Sequence, residues 1–321
     1  MASEPKKHHF VPRGYLRFFA QEIKEDIYQI AVFDKISGKR YLNNIDDVAE
    51  MKNYNRVEID RYNMPVPDKN PLYYEHLYPR LIEDDIPKIL RRTISSFTLT
   101  PTTKLSLGDN LKAHLARLLV IQMMRTPRSR SFFTEVCQRP FYTSIQQTLD
   151  FLATNPGNRN WHAEIEQLRE FRYTNEFAKS AILSLATSEE RIAHFSNVLI
   201  DDYCWMAYSN QLVDTMPFIT SDEPVLLTDI KGQHVGLENN PLARPTTMLC
   251  FAINSQYMLS LHRKDSLHGS GMKAFADQCL NINDMKYVVR MNLLHIEHST
   301  RQVFTHPKYA EVFDILKILR Q

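Results

Sequence analysis

The sequence predicts an α+β fold in which a largely helical centre packs against a mixed or antiparallel sheet. Three observations carry that expectation. Between residues 73 and 199 apolar side chains recur at helical spacing. After Asp201, short aromatic and β-branched runs alternate with polar or proline-containing turns, and before residue 45 two such runs flank a Ser-Gly turn. The chain has 321 residues, 43% hydrophobic and 24% charged, which is the make-up of a soluble globular protein able to bury a large core. The expected organisation is one large α+β domain over 1–321, which could divide into a mainly helical lobe at 1–200, carrying an N-terminal hairpin, and a mixed α/β lobe at 201–321.

The elements follow in order. At the amino terminus KKHHFVPR precedes YLRFFA, and Pro12 suits the start of a short helix. IYQIAVFD and KRYLNN read as strands joined by KISG, where Ser37 and Gly38 supply a hairpin turn. DDVAEMKNYN reads as helical or irregular, and MPVPDKNP separates this opening unit from the helical centre. From Tyr73 to Phe97 the spacing of Leu77, Leu81, Ile82, Ile86, Ile89, Leu90 and Ile94 is helical, and Pro79 and Pro87 are expected to break or kink the run.

From Asp109 to Arg125, Leu111, Leu115, Leu118, Leu119 and Gln122 share one side of a helix, with Asp109 expected as its cap and Pro127 as its stop. Further helices are expected over 131–154, 161–172, 175–185 and 188–199. DYCWMAYSN, PFITSD, PVLLTD, TTMLCFAIN and YMLSLHR read as strands. A helix is expected over 271–280, and another in LNINDMKYVVRMNLLHIEH with Asn283 as its cap. The tail KYAEVFDILKIL is amphipathic, with Tyr309, Val312, Phe313, Leu316 and Leu319 available to close a core.

Composition narrows the function classes. Cys137, Cys204, Cys250 and Cys279 lie far apart without CxxC spacing, which fits buried thiols in a reducing compartment. No apolar leader precedes the first polar residues, and no run approaches the roughly 18 residues that span a bilayer, so a cytoplasmic protein without an integral membrane segment is expected. A net charge of +2 says little by itself about nucleic acid, but Lys88, Arg91 and Arg92 form one local basic group and Arg125, Arg128 and Arg130 another. Neither GxGxxG nor GxxxxGK occurs, so no nucleotide cofactor is expected.

The chemistry-bearing residues fall into a few groups. His8 and His9 point opposite ways if extended, so one can serve chemistry while the other supports the fold. HHxxP also resembles the opening of His-metal-finger nucleases, which implies a water-activating and a metal-binding histidine, yet no downstream HxxxH or cysteine pair completes such a site. Glu75 and Glu83, eight apart, would border one face of a continuous helix and could pair as metal-holding carboxylates. Gln122 and Arg125 share a helix face, and Arg128 follows the Pro127 break, a grouping that suits phosphate binding as well as a salt-bridged helix end. Ser221, Asp222 and Glu223 read as a turn between strands, with Asp222 as a candidate site carboxylate.

Taken together, His8, His9, Val11, Pro12, Tyr15, Leu16 and Phe19 match an HHxVPxxYLxxF signature. The chain thereby resembles the large uncharacterised microbial DUF4238-like family. The resemblance continues through Glu75 and Glu83, Gln122 to Arg128, Phe218 to Pro224, and the helix near Asn281 or Asn283. It implies one assembled pocket, with the histidines brought toward the helix bearing Arg125. Gly14 stands where a bulkier residue would also look natural.

The expected function is a metal-assisted phosphoester hydrolase or nuclease. In it His8, His9, Glu75 and Glu83 are catalytic, His8, Glu75, Glu83 and Asp222 hold a divalent metal, and Gln122, Arg125 and Arg128 bind phosphate. The alternatives are a noncatalytic protein that binds nucleic acid or a phosphorylated small molecule, and an adaptor with a protein partner.

Overall fold

The computed structural model describes residues 7–59, 66–98, 107–155, 161–229, 231–233, 235 and 240–319. In chain order its strands are β1 (Lys7–His9), β2 (Gln21–Lys24), β3 (Ile27–Asp34), β4 (Lys39–Asn44), β5 (Glu50–Lys52), β6 (Tyr203–Asn210), β7 (Thr220–Ser221), β8 (Val225–Thr228), β9 (Met248–Ala252), β10 (Tyr257–Arg263), β11 (Gln278–Ile282) and β12 (Gln302–Thr305). Its helices are α1 (Arg13–Leu16), α2 (Tyr73–Leu81), α3 (Ile86–Thr98), α4 (Asp109–Arg125), α5 (Pro127–Thr154), α6 (His162–Glu170), α7 (Asn175–Ala186), α8 (Glu189–Asp202), α9 (Leu267–Met272), α10 (Met285–His298) and α11 (Val312–Leu319). The fold is α+β, with a helical centre and several sheets.

One mixed sheet runs in the order β11, β6, β10, β9, β8, with β11 parallel to β6 and the other neighbours antiparallel. Every residue of β6 is buried, as a central strand covered on both faces requires. A second, antiparallel sheet runs β2, β3, β12, β7, with β4 also paired to β3. It joins strands from both sides of residue 200. β1 and β5 form a separate two-stranded ribbon. In the helical centre α4 packs on α3, α5, α7 and α8, and it buries Leu115, Ala116, Leu118, Leu119, Val120 and Ile121, nearly its whole circumference.

Several local expectations are corrected. The helix expected over 271–280 ends early. α9 stops at Met272, a short 3₁₀ turn follows, Asp277 takes φ 57°, and 278–282 becomes β11, because the open edge of β6 offers its backbone a parallel partner. DDVAEMKNYN forms a 3₁₀ turn (Ile45–Asp47) and then β5, paired with the histidine strand. Gly108, not Asp109, is the N-cap of α4, and Asp109 sits in the first turn, where a negative charge also suits the helix dipole. α4 does end at Arg125, before the Pro127 expected as its stop, and Pro127 also opens the next helix: Thr126 turns extended and its hydroxyl caps α5 at Ser129 N–H. Asp284, one residue past Asn283, caps α10.

The run from Tyr73 to Phe97 is broken, as its prolines imply, but at Ile82 (φ −160°), while Pro79 lies inside α2. Glu75 is therefore on α2 and Glu83 on the following 3₁₀ turn, so the two carboxylates do not share a continuous helix face. In α11, Val312, Phe313 and Leu316 are buried as expected, whereas Leu319 is exposed. Among the described residues no helix is long and apolar enough to cross a membrane.

Candidate functional site

Strand β1 separates its two histidines. His8 pairs across the ribbon with Met51 and is wholly buried, while His9 pairs with Glu50 and is half-buried. His8 Nδ1 accepts the backbone N–H of Asn55 at 2.8 Å, which occupies that lone pair, and it lies 3.5 Å from a carboxylate oxygen of Glu75. The Asn55 side chain donates to the same oxygen at 2.7 Å and accepts from Arg130 at 3.2 Å. Arg130 in turn lies 3.3 Å above the Tyr54 ring centre and donates to the Tyr54 carbonyl at 2.5 Å. His8 and Glu75 are thus brought together, in a network that Asn55 organises.

A second group forms around the end of α4. Arg125 is only 2% exposed, and it donates to Glu83 at 2.6 Å and to the His9 carbonyl at 2.5 Å while its guanidinium lies 4.3 Å from the Tyr78 ring centre. Gln122, one turn earlier, donates to the Phe10 carbonyl at 3.0 Å. The last turn of α4 therefore grips the backbone that leaves the histidine strand. The Tyr54 hydroxyl donates to the Arg125 carbonyl at 3.0 Å and closes the end of the helix.

The Ile45 carbonyl has a small favourable influence on the charged His9 ring, and the ring's Nε2 is buried without a hydrogen-bond partner in the protein. With the ring proton on Nδ1 the lone pair would stand on the buried Nε2. Burial pushes the pKa of His9 down, the positive charges of Arg13 and Arg125 add to that, and Glu83 opposes it. At neutral pH the imidazole is an uncharged base. The Tyr78 hydroxyl, Arg125 Nε and Arg130 Nε, in the same neighbourhood, are also buried without protein partners. Gly14 permits the approach of the helix bearing Arg13: a Cβ there would come within 3.3 Å of the Pro87 ring and 3.6 Å of the Glu83 carbonyl.

Asp222 and Arg128 belong to a third group, at the other end of the α4–α5 junction. Both carboxylate oxygens of Asp222 are engaged by backbone N–H groups, those of Thr300, Arg301 and Gln302 at 2.9, 2.7 and 2.8 Å. It caps the turn into β12. The Arg128 guanidinium donates to the His298 carbonyl at 3.2 Å, and its backbone N–H is bound by Glu223.

The suggested metal donors are accordingly divided. His8 has its Nδ1 lone pair in use, Glu83 is paired with Arg125, and Asp222 is saturated by backbone. Among the described residues no three His, Cys, Asp or Glu side chains stand together as a metal-binding group.

A family model described as "Protein of unknown function (DUF4238)" matches residues 7–309. The chain belongs to the DUF4238 family. No curated protein and no solved structure matches it. The DUF4238 signature at the amino terminus has a clear packing component in this chain, since Val11, Tyr15, Leu16 and Phe19 are at most 1% exposed. Tyr15 also shares a hydrogen bond with Thr220 Oγ1 at 2.7 Å and donates to the Ala252 carbonyl at 2.7 Å, tying α1 to both sheets. His8 and His9 are the signature positions that enter the polar network.

Tyr54, Asn55 and Tyr78 are members of that network that sequence reasoning missed. Asn55 ends a stretch read as helical or irregular, and Tyr54 and Tyr78 look like ordinary core aromatics. A polar asparagine flanked by tyrosine and arginine is the only local trace of the role.

Proposed function

We propose that this chain is a phosphoester hydrolase in which His9 takes the proton of the attacking water. The observation that carries the reading is the His9 imidazole, its pKa lowered by burial and its buried Nε2 without a hydrogen-bond partner in the protein, beside Arg125, Glu83 and Arg13. In the reaction the water oxygen bonds to phosphorus as the ester P–O bond breaks. His9 Nε2 receives the water proton, and the leaving oxygen is protonated from solvent. Arg13, exposed and ion-paired with Asp46 at 2.8 Å, would exchange that partner for the phosphate, and the charge of Arg125 would add to the field behind it. Nucleic acid and phosphorylated small molecules are the substrate classes that this chemistry fits.

The test is turnover of phosphomonoester and phosphodiester probes and of single- and double-stranded oligonucleotides. A folded His9→Asn protein is expected to lose about 10²- to 10⁴-fold in rate, the usual contribution of a general base. Each probe is offered with a divalent cation and with excess chelator, so that metal dependence is read separately from the role of His9. No turnover of any probe by folded wild-type protein, or undiminished turnover by folded His9→Asn, overturns the reading.

A further inference from the structure

Two of the three residues in the basic group on α3 face a cavity. Lys88 and Arg92 are four residues apart and so stand on one side of α3, and Asn110 and His114 repeat that spacing on α4, which packs against it. All four side chains line a cavity of about 300 Å³, together with Asp85 and Ile89. A water molecule fills roughly 30 Å³ of the liquid, so the space admits a ligand of several heavy atoms.

The charges around this cavity divide into two kinds. Cations on the neighbouring surface of α4 are paired: Arg117 donates twice to Glu189, at 2.6 and 2.7 Å, and Lys112 lies 2.5 Å from Asp277. Lys88 and Arg92 are exposed, and neither has a hydrogen bond or ion pair among the described residues. The His114 Nδ1 lies 2.6 Å from the Asn110 carbonyl. A carbonyl only accepts, so this ring nitrogen carries a proton, and Nε2 is left to accept from a protonated oxygen or, in the imidazolium, to donate to an ionised one.

We propose that the cavity between α3 and α4 binds a compact phosphorylated small molecule, with Lys88 and Arg92 on the phosphate oxygens and His114 Nε2 beside them. Arg92 supplies a planar fork and Lys88 a point charge, the two donor types that phosphate takes up best. Asp85 is the acidic residue of the lining, and its carboxylate opposes an anion that the two cations attract. A concave site suits a small ligand, whereas a polymer backbone is tracked along an open groove. The site is separate from the one around His9, since eleven residues of α4 part His114 from Arg125, roughly 16 Å along the helix.

Binding is measured on the full chain, in excess chelator, by calorimetry and by amide shift mapping. The probes are inorganic phosphate and methylenediphosphonate. Neither has a phosphoester bond to cleave, so the result is independent of the hydrolase reading. Saturable binding is expected, with shifts centred on residues 85–92 and 108–114. Lys88→Gln and Arg92→Gln, which alter exposed side chains, are each expected to weaken it by about tenfold, and Asp85→Asn is expected to tighten it. No saturable binding of either probe at millimolar concentration, shifts centred instead on residues 125–130, or affinity unchanged in the folded double variant Lys88→Gln, Arg92→Gln overturns the proposal. A single-stranded oligonucleotide is the third probe: if it binds at these residues far more tightly than methylenediphosphonate does, the face belongs to nucleic acid and the assignment to a small ligand fails.

Discussion

Arg125 illustrates how one buried charge is made tolerable and at the same time useful. Its guanidinium is neutralised by Glu83, donates to the His9 carbonyl and is covered by the Tyr78 ring. Removing one member of a buried pair leaves the other uncompensated, so Glu83→Gln is expected to destabilise the protein by about 3 kcal/mol in urea unfolding. A loss below about 0.5 kcal/mol would mean that the pair behaves as an exposed one. The opposite facings of His8 and His9 were legible in the sequence, because adjacent residues of any strand point to opposite sides. The neighbours of each ring were not, since Asn55 and Ile45 approach through a strand pairing that no local pattern announces.

At the level of elements, α1 is a four-residue helix with consequences out of proportion to its length. Its Tyr15 hydroxyl bridges Thr220 and Ala252, so Tyr15→Phe is expected to cost about 1–3 kcal/mol through two buried groups left without their partner. Thermal unfolding of the variant measures this, and an unchanged midpoint would show that the bridge contributes nothing. Gly14→Ala sets a helix preference of about 1 kcal/mol in favour of alanine against the 3.3 Å approach to Pro87. Long periodic helices such as α4 and α8 could be read from the sequence because their apolar spacing persists over several turns. β11 and β12 could not, since five and four residues are too few to display a period and both are fixed by distant partners, β6 and β3.

The whole molecule is bound together by the sheet in which β12 and β7 join β2, β3 and β4. A buried apolar cluster likewise runs from Phe10 to Leu316 through both sheets and the helical centre. Unfolding is therefore expected as one cooperative transition followed equally by near- and far-ultraviolet dichroism; two separated transitions would show that the parts on either side of residue 200 fold independently. The four cysteines are all free thiols, so reductant is expected to leave the midpoint unchanged. The α+β class was legible because it depends on patterns summed over the chain. An approach of the histidines to the helix bearing Arg125 was expected from the family resemblance, whereas the entry of Asn55 and Arg130 into the His8–Glu75 network depends on tertiary closure and is visible only in the fold.

The measurement that bears most directly on the central claim is a pH titration of the His9 ring nitrogens by long-range proton–nitrogen correlation in isotope-labelled protein. The account predicts a neutral ring at pH 7 with its proton on Nδ1, titrating below the ordinary histidine value of about 6.5. Because that pKa is depressed by folding, the contribution of His9 to stability is present above about 6.5 and is lost as pH falls toward the folded value. A proton on Nε2 of the neutral ring, or a midpoint above 6.5, would contradict the account, for His9 would then have no free base to offer at neutral pH.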